Sequence, residues 1–355
     1  KVDVFLIDDL HALTPSSKCQ TELLYTINAL RRKKAQVVIA CKEPPTQMKN
    51  LSSGLCGKLE SGLTVDIGIP ESVLTQIAPK ISENDPLLWR NIFPSPTSSD
   101  HKYLRGHSLV VSGTTGSTGA ARLAALAALR VGSGLVTLAS PPEALQVNVS
   151  HLTTVMTESF EDGDEFERIL HSRHRNAVLL GPGNGVTDGT RTRVLNALRN
   201  DAACVLDADA LTVFSERRAE LFGSIRAGCV MTPHDGEFKN LFGEPSPGHG
   251  KISIVRDAVH KCGAVLLLKG ADTVVAAPDG RIAINSNAPP DLATAGTGDV
   301  LSGLIVGLLA QGMEPFEASC AACWIHGELG ALAGPGLIAE DLPDFIPRVL
   351  RQFER

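Results

Sequence analysis

The segment with the clearest chemical potential is Gly296-Thr297-Gly298-Asp299, which stands directly before an apolar run that begins at Val300. Glycines let successive backbone N–H groups converge on one point without side-chain clash. A helix that begins there directs its positive end at the same point. Such a cluster binds a phosphate, and Asp299 beside it could accept a proton from an attacking hydroxyl. The alternative is a glycine turn in which Asp299 only caps the helix.

Two further groups of residues follow predicted strands, where open α/β sheets bind their ligands. Gly181-Pro182-Gly183 could let the backbone approach a ligand closely, although a tight turn would have the same sequence. Asp207 and Asp209 could hold Mg²⁺ through water, or Asp209 could cap a helix. No residue is predicted to ligate a metal directly. The segment 113–119 resembles a P-loop but lacks the lysine that a Walker A motif requires.

Two basic residues also stand at the ends of predicted strands. His234 comes just after a predicted strand, where a lone histidine is more often structural than catalytic. Lys269 ends another predicted strand and opens a hairpin that runs to Thr273, where the lysine could simply be solvated. The chemistry of both residues depends on whether these strand ends meet.

The elements that would position these residues are strands alternating with helices. From residue 103 onward this alternation predicts one α/β unit with a mostly parallel sheet. The predicted strands are 108–112, 134–139, 177–180, 204–207, 229–232, 264–268, 273–277 and 281–284. The predicted helices are 119–130, 165–171, 191–200, 253–262, 299–310 and 317–332.

Three zones divide the chain into predicted domains: 1–80, 81–102 and 103–355. The first zone is predicted to be a partial α/β fragment with strands at 2–7, 36–40 and 63–67 and a helix at 20–32. The second zone is predicted to be a linker or extended arm, because it carries several prolines and a polar run.

The bulk composition narrows the class of protein. The net charge of −6 argues against nucleic-acid binding, and the eight scattered cysteines give no disulfide framework. Cys320, Cys323 and His326 have metal-like spacing, but they stand in a run of small residues that predicts a core helix. No apolar stretch is long enough to span a bilayer, so a cytoplasmic location is expected.

A family resemblance extends over about residues 85–355. The Gly-Thr-Gly-Asp motif resembles the anion hole of the ribokinase-like superfamily. Other segments occur in the order typical of the ADP/ATP-dependent NAD(P)H-hydrate dehydratases within it. They are HKYLRGH at 101–107, GAARL at 119–123, AALRVGSGLVT at 127–137, GPGNG at 181–185, DADAL at 207–211, TPHDGE at 232–237 and LKGADT at 268–273.

This resemblance implies a ribokinase-like three-layer sandwich and a metabolite-repair reaction. The hydroxyl of the S form of NAD(P)H hydrate would be phosphorylated by ADP or ATP, with Asp299 as the catalytic base, and phosphate would then be eliminated. The implied contacts are Ala120, Gly183, His234 and Asp299 for the substrate, Lys269, Gly270, Ala271, Asp272, Thr273 and Gly298 for the nucleotide, and Gly296, Thr297 and Gly298 for the anion hole.

The resemblance also implies Mg²⁺ as cofactor, a functional link to an NAD(P)H-hydrate epimerase and a homo-oligomeric state without membrane contact. Two departures stand beside the site. Asp235 occupies a position where the family usually has proline, and the loop 285–291 is longer than the family's. The residues do not decide between ADP and ATP as donor, or between NADH hydrate and NADPH hydrate as substrate.

Residues 1–80 resemble an internal piece of the AAA+ replication initiator DnaA. The resemblance lies in VFLIDD at 4–9, the helix 20–30 and the proline pair at 44–45. The sequence contains no GxxxxGK[ST] motif, and Lys42 stands where the family has a sensor aspartate. Gly54 and Lys58 replace arginines that lie near the nucleotide. A structural remnant is therefore favoured over an active ATPase.

Two other functions remain open. A small-molecule kinase of the same superfamily would share the glycine-rich hole but would release a lasting phosphoester. A replication-linked nucleic-acid-binding protein would follow from the N-terminal resemblance. The acidic balance argues against it, as does the lack of any segment resembling the initiator's DNA-reading domain.

Overall fold

The computed structural model describes residues 4–7, 10, 17–33, 35–41, 43–62, 80–172, 175–244 and 250–353. The chain divides into two compact units, 1–78 and 79–355, and each is described by itself. Within the described ranges no helix is both long and apolar enough to cross a membrane.

The first unit is a small α/β fragment, as predicted. Its elements are β1 (Val4–Ile7), α1 (Ser17–Arg32), β2 (Gln36–Ile39) and α2 (Ser53–Glu60). The two strands pair in parallel, and Leu23, Ile27 and Leu55 from the helices form part of the apolar cluster. The predicted strand 63–67, the carboxylates Asp8 and Asp9, and Lys42 lie outside the described residues.

The second unit is built on a sheet with the order β3-β12-β11-β10-β9-β8-β7-β4-β5-β6 among its described residues. The strands are β3 (Ile81–Glu83), β4 (His107–Val111), β5 (Leu135–Ser140), β6 (Met156–Ser159), β7 (Ala177–Leu180), β8 (Ala203–Leu206), β9 (Cys229–Met231), β10 (Val265–Leu268), β11 (Thr273–Ala276) and β12 (Ile282–Asn285). In this sheet β11 runs antiparallel to both neighbours, and the other strand pairs are parallel. The prediction of a mostly parallel sheet is confirmed.

Helices cover both faces of this sheet. They are α3 (Thr118–Arg130), α4 (Pro142–His151), α5 (Gly163–His171), α6 (Asp188–Arg199), α7 (Asp209–Thr212), α8 (Arg218–Ser224), α9 (Asp235–Phe242), α10 (Lys251–Cys262), α11 (Thr297–Ala310), α12 (Pro315–Ala333) and α13 (Leu342–Leu350). Side chains alternate along each strand, so Val110 joins the core under α3 and α11 while Leu109 and Val111 join the core under α5 and α6. Burial on both faces explains why the central strands are continuous apolar runs.

Small residues let α3 and α11 pack at close range. A side chain at Gly303 of α11 would place its Cβ 2.3 Å from the carbonyl oxygen of Ala124 in α3. Only glycine therefore fits at this crossing. The close packing fixes the direction of α11, whose N-terminus carries the Gly-Thr-Gly-Asp motif.

The edge strands correct the sequence prediction. Within the segment 81–102, predicted as a linker or arm, β3 pairs with β12, and Trp89 is completely buried in the core. This part of the segment therefore belongs to the folded unit. At the other edge, β6 was not predicted because its residues Met156–Ser159 are half-buried or exposed and carry no apolar run.

Candidate active site

The predicted site residues lie along one edge of the sheet, because the parallel strands end there together. Close backbone contacts join the segments that follow neighbouring strands. A Cβ on Gly113, after β4, would lie 1.7 Å from the carbonyl oxygen of Gly183. A Cβ on Gly181, after β7, would lie 1.6 Å from that of Asp207, after β8. The backbone N–H of Lys269, after β10, donates to the carbonyl of Pro233, after β9.

The N-terminus of α11 faces the same edge. Gly296 has φ +90°, a left-handed conformation that turns the chain into the helix. The N–H groups of Asp299 and Val300 both donate to the Gly296 carbonyl. The N–H groups of Gly296, Thr297 and Gly298 have no acceptor among the described residues. Within the described ranges these three amides are therefore available to a ligand, whereas the Asp299 amide is engaged within the turn.

Asp299 lies in the first turn of this helix, and its carboxyl is partly buried. Its pKa is raised to about 6, chiefly by burial and also by the negative charge of Asp207, while the positive charge of Lys269 opposes the change. A carboxyl with this pKa is mostly ionised at neutral pH yet basic enough to take up a proton. Its environment suits a general base.

Asp207 and Lys269 form a buried ion pair next to this helix. The Nζ atom of Lys269 lies 2.8 Å from Oδ1 of Asp207, whose side chain is 3% exposed. The Ser302 hydroxyl donates to the other carboxylate oxygen, and the Ala208 N–H donates to Oδ1. Burial disfavours the charged lysine, but the Asp207 carboxylate outweighs this and the pKa of Lys269 is raised. The lysine therefore stays protonated, 3.8 Å from the Cβ position of Gly298.

These hydrogen bonds limit where Mg²⁺ could bind. Both Asp207 oxygens have protein donors, and Oδ2 of Asp209 accepts from the Gly185 N–H at 2.8 Å. Among the described residues, no group of three His, Cys, Asp or Glu side chains could hold a metal. Mg²⁺ commonly keeps several waters and binds through substrate phosphates. The residues thus fit an ion carried by the nucleotide, and Asp207 holds Lys269 instead.

The Gly181–Gly183 turn is braced by a residue that the sequence did not single out. The buried Asn184 accepts from the Gly181 N–H at 3.0 Å through Oδ1 and donates through Nδ2 to the Val111 carbonyl at 2.8 Å. Gly183 also packs against Ser117, just before α3. Ala120 lies in the first turn of α3, so the predicted substrate positions Ala120 and Gly183 border the same loop.

His234 caps α9. Its Nδ1 accepts from the N–H groups of Gly236 and Glu237 at 3.0 and 3.3 Å, so the ring proton resides on Nε2. The side chain is 59% exposed, and its Nε2 atom lies 3.4 Å from Oε1 of Glu237. Asp235 occupies the first helical position, where a negative charge is favourable. This gives a structural reason for the departure from the family's proline.

The predicted nucleotide segment 269–273 is a tight turn between β10 and β11. The Thr273 hydroxyl donates to the Gly270 carbonyl at 2.9 Å and accepts from its N–H at 3.2 Å. Lys251, the first residue of α10, donates to the backbone and carboxylate oxygens of Asp272 at 2.7 and 2.8 Å. Lys251 was not predicted as a site residue, because nothing in its local sequence distinguishes it from a solvated lysine.

The long loop 285–291 is anchored on α12. Asn287 donates to the Trp324 carbonyl at 2.9 Å and accepts from Asn285 at 2.8 Å. A Cβ on Gly327 would lie 2.1 Å from Oδ1 of Asn287. The loop therefore has defined contacts beside the glycine-rich turn.

The two units of the chain match different protein families. A family model for NAD(P)H-hydrate dehydratase matches residues 108–346. A model for the bacterial DnaA ATPase domain matches residues 1–66. Both resemblances found in the sequence are confirmed.

Two kinds of curated relative match the chain. The bifunctional NAD(P)H-hydrate repair enzyme of Salinibacter ruber is 38% identical over 303 residues, covering 80% of this chain and 56% of the relative. The ADP-dependent (S)-NAD(P)H-hydrate dehydratase of Cenarchaeum symbiosum is 31% identical over 279 residues, covering 75% of this chain and 96% of the relative. The chain thus spans little more than half the length of the bifunctional relative.

Solved structures share the fold. The ADP/ATP-dependent NAD(P)H-hydrate dehydratase of Bacillus subtilis, co-crystallised with ATP/Mg²⁺, matches with a TM-score of 0.67 and 29% identity over 75% of this chain and 96% of that one. A ribokinase-like superfamily protein of Enterococcus faecalis matches with a TM-score of 0.70 and 20% identity over 82% of this chain and 99% of that one. The predicted ribokinase-like fold is confirmed.

Proposed function

The chain belongs to the NAD(P)H-hydrate dehydratase family, and on that premise we propose that it dehydrates the S form of NAD(P)H hydrate, with ADP or ATP as phosphoryl donor. The observation that carries the proposal is the N-terminus of α11. There the N–H groups of Gly296, Thr297 and Gly298 lack acceptors among the described residues, and Asp299 stands beside them with a raised pKa.

The first step is phosphoryl transfer. The hydroxyl oxygen on the hydrated ring attacks the terminal phosphorus of the nucleotide, and Asp299 takes up the hydroxyl proton. The bond from that phosphorus to the bridging oxygen breaks, so ADP leaves as AMP, or ATP as ADP. The three amides and the Lys269 ammonium stabilise the charge on the transferring group.

The second step is elimination. The ring nitrogen donates its electron pair as the carbon–oxygen bond breaks, and inorganic phosphate leaves. Loss of a proton from the neighbouring ring carbon then restores the double bond of NAD(P)H. This step is substrate chemistry, and the chain contributes position and charge neutralisation.

The residues at the ends of the parallel strands also suggest where each ligand binds. We assign the hydrate to Ala120, Gly183, His234 and Asp299, and the nucleotide to the turn 269–273 together with Gly298. Mg²⁺, when bound, would neutralise the nucleotide phosphates. It would be carried by those phosphates and by water, because the nearby carboxylate oxygens of Asp207 have protein donors.

The proposal includes a functional link to an NAD(P)H-hydrate epimerase, supported by relatives that are bifunctional NAD(P)H-hydrate repair enzymes. It also includes a cytoplasmic location, supported by five buried cysteines that keep free thiols, as suits a reducing compartment. The implied homo-oligomer stays a prediction, which sedimentation velocity would test. For residues 1–80 we assign no activity.

Product analysis tests the proposal. The full chain is incubated with NADH hydrate, ADP and Mg²⁺, and absorbance at the NADH band is followed beside AMP and phosphate. The proposal predicts NADH, AMP and phosphate in equal amounts. A phosphorylated hydrate that accumulates without NADH would identify a kinase, and no consumption of hydrate with either nucleotide would refute the assignment.

A further inference from the structure

His326 lies behind the glycine-rich turn and is not among the residues assigned to the reaction. It lies on α12, it is 9% exposed, and its Nε2 atom lies 2.9 Å from the carbonyl oxygen of Thr297 in the first turn of α11. A carbonyl oxygen can only accept a hydrogen bond, so Nε2 must carry the ring proton.

The Thr297 carbonyl belongs to the peptide unit that carries the Gly298 N–H. In a trans peptide the C=O and N–H bonds point in opposite directions. A hydrogen bond that holds the carbonyl toward α12 therefore holds the Gly298 N–H away from α12. The Cβ position of Gly298 lies 3.8 Å from Nζ of Lys269, and the Gly298 N–H has no acceptor among the described residues.

Two further hydrogen bonds hold Thr297 through its side chain. The Thr297 hydroxyl donates to the carbonyls of Leu292 and Thr294 at 2.8 and 3.0 Å. The side chain of Thr297 thus fixes the turn before the helix, and His326 fixes the peptide after it. Burial, assisted by the positive charge of Lys269, lowers the pKa of His326 to about 4 despite its hydrogen bond to Thr297. The ring is therefore neutral at physiological pH and adds no charge beside the phosphoryl site.

We propose that His326 is a positioning residue, which orients the Thr297–Gly298 peptide so that the Gly298 N–H faces the transferring phosphoryl group. The inference rests on the proposed function, because that function gives the amide its task. His326 itself touches no reacting atom. Its effect should fall on the transition state, where charge on the phosphoryl oxygens is greatest, and less on nucleotide binding.

The test compares two substitutions and one control. His326→Leu keeps the bulk but removes the donor, whereas His326→Gln keeps an N–H donor on a side chain of similar reach. His260→Leu changes an exposed histidine on α10. For His326→Leu we expect kcat about 10- to 100-fold lower, which is less than the loss of a whole oxyanion donor, and a KM for ADP within about threefold. His326→Gln should recover at least about tenfold of that loss, and His260→Leu should match the wild type.

Thermal unfolding of each variant separates a local effect from general damage. The inference is overturned if folded His326→Leu keeps wild-type kcat, or if folded His326→Gln is no better than His326→Leu. Either result leaves the proposed function standing, because the wild-type chain would still produce NADH.

A measurement on the wild-type chain tests the inference even if the variants fail to fold. Long-range ¹H–¹⁵N spectra of histidine-labelled protein should show a neutral His326 ring protonated at Nε2 at pH 7. A ring protonated at Nδ1, or on both nitrogens, would overturn the inference. This readout needs no turnover, so it stays informative even if the chain produces no NADH.

Discussion

Lys269 and Asp207 form a buried ion pair at the N-terminus of α11, with Nζ 2.8 Å from Oδ1. The two charges act in opposite directions on Asp299, since Asp207 raises its pKa and Lys269 lowers it. The pair therefore supplies a cation to the phosphoryl site and adjusts the neighbouring carboxyl at the same time.

The first prediction concerns the pH dependence of turnover. Because Asp299 must be ionised to accept a proton, kcat/KM should fall as pH decreases through about 6. Asp207→Asn removes a repelling negative charge and should move this acid limb to lower pH. Lys269→Met removes an attracting positive charge and should move it to higher pH. Shifts of the two profiles in the same direction would contradict this electrostatic account.

The second prediction concerns stability. Burial raises the folded-state pKa of Asp299 to about 6 from the ordinary 3.8, so the folded state loses stability as pH rises between these values and the cost persists above pH 6. A shift of this size corresponds to at most about 3 kcal/mol, and partial exposure reduces it to about 1–2 kcal/mol. The free energy of unfolding of Asp299→Asn at pH 7.5 should therefore be higher than that of the wild type. Denaturant titrations at pH 4 and 7.5 check this, and the gain should shrink at pH 4.

The third prediction uses a matched pair of glycines in one loop. Gly113→Ala would place a Cβ 1.7 Å from the Gly183 carbonyl, whereas a Cβ at Gly116 meets nothing within 4 Å. Displacing Gly183 should lower kcat/KM for the hydrate by at least about tenfold, since misplacement near 1 Å has effects of that order or larger. Gly116→Ala should stay within about twofold of wild type. Equal kinetics for the two folded variants would remove Gly183 from the substrate site.

The fourth prediction concerns the nucleotide turn. Lys251→Met removes both hydrogen bonds to Asp272 and should raise the KM for ADP by about 3- to 10-fold with little change in kcat, because the turn contributes to binding in ground and transition states alike. Lys261→Met, an exposed position on the same helix α10, is the control. Initial rates at varied ADP distinguish the two. A fall in kcat with unchanged KM would assign Lys251 a different role.

Local patterns predicted most of the central sheet. Continuous apolar runs marked strands such as β7 and β10, because burial on both faces leaves no polar positions in them. The edge strands β3 and β6 escaped prediction, since edge positions are partly exposed and lack that signal. The glycine-rich turn before Val300 was also recognisable, because its composition is local.

The partners of the site residues could not be predicted in this way. Lys269 and Asp207 are 62 residues apart in the chain, and His326 and Thr297 are 29 apart. Such pairs form only when the strand ends and helix N-termini converge, and local sequence patterns do not show which side chains then pair. The hydrogen bonds from Lys269, Ser302 and Ala208 to Asp207 are contacts of this kind, and its local sequence does not indicate them.

The central claim is that Asp299 accepts the hydroxyl proton while the amides at the start of α11 hold the phosphoryl group. The most direct measurement is kcat of Asp299→Asn with NADH hydrate and ADP, followed as NADH absorbance, with Asp344→Asn as a surface control whose side chain is 78% exposed. The account predicts a loss of about two to four powers of ten for folded Asp299→Asn and none for the control. Turnover of folded Asp299→Asn within a few-fold of wild type would contradict it.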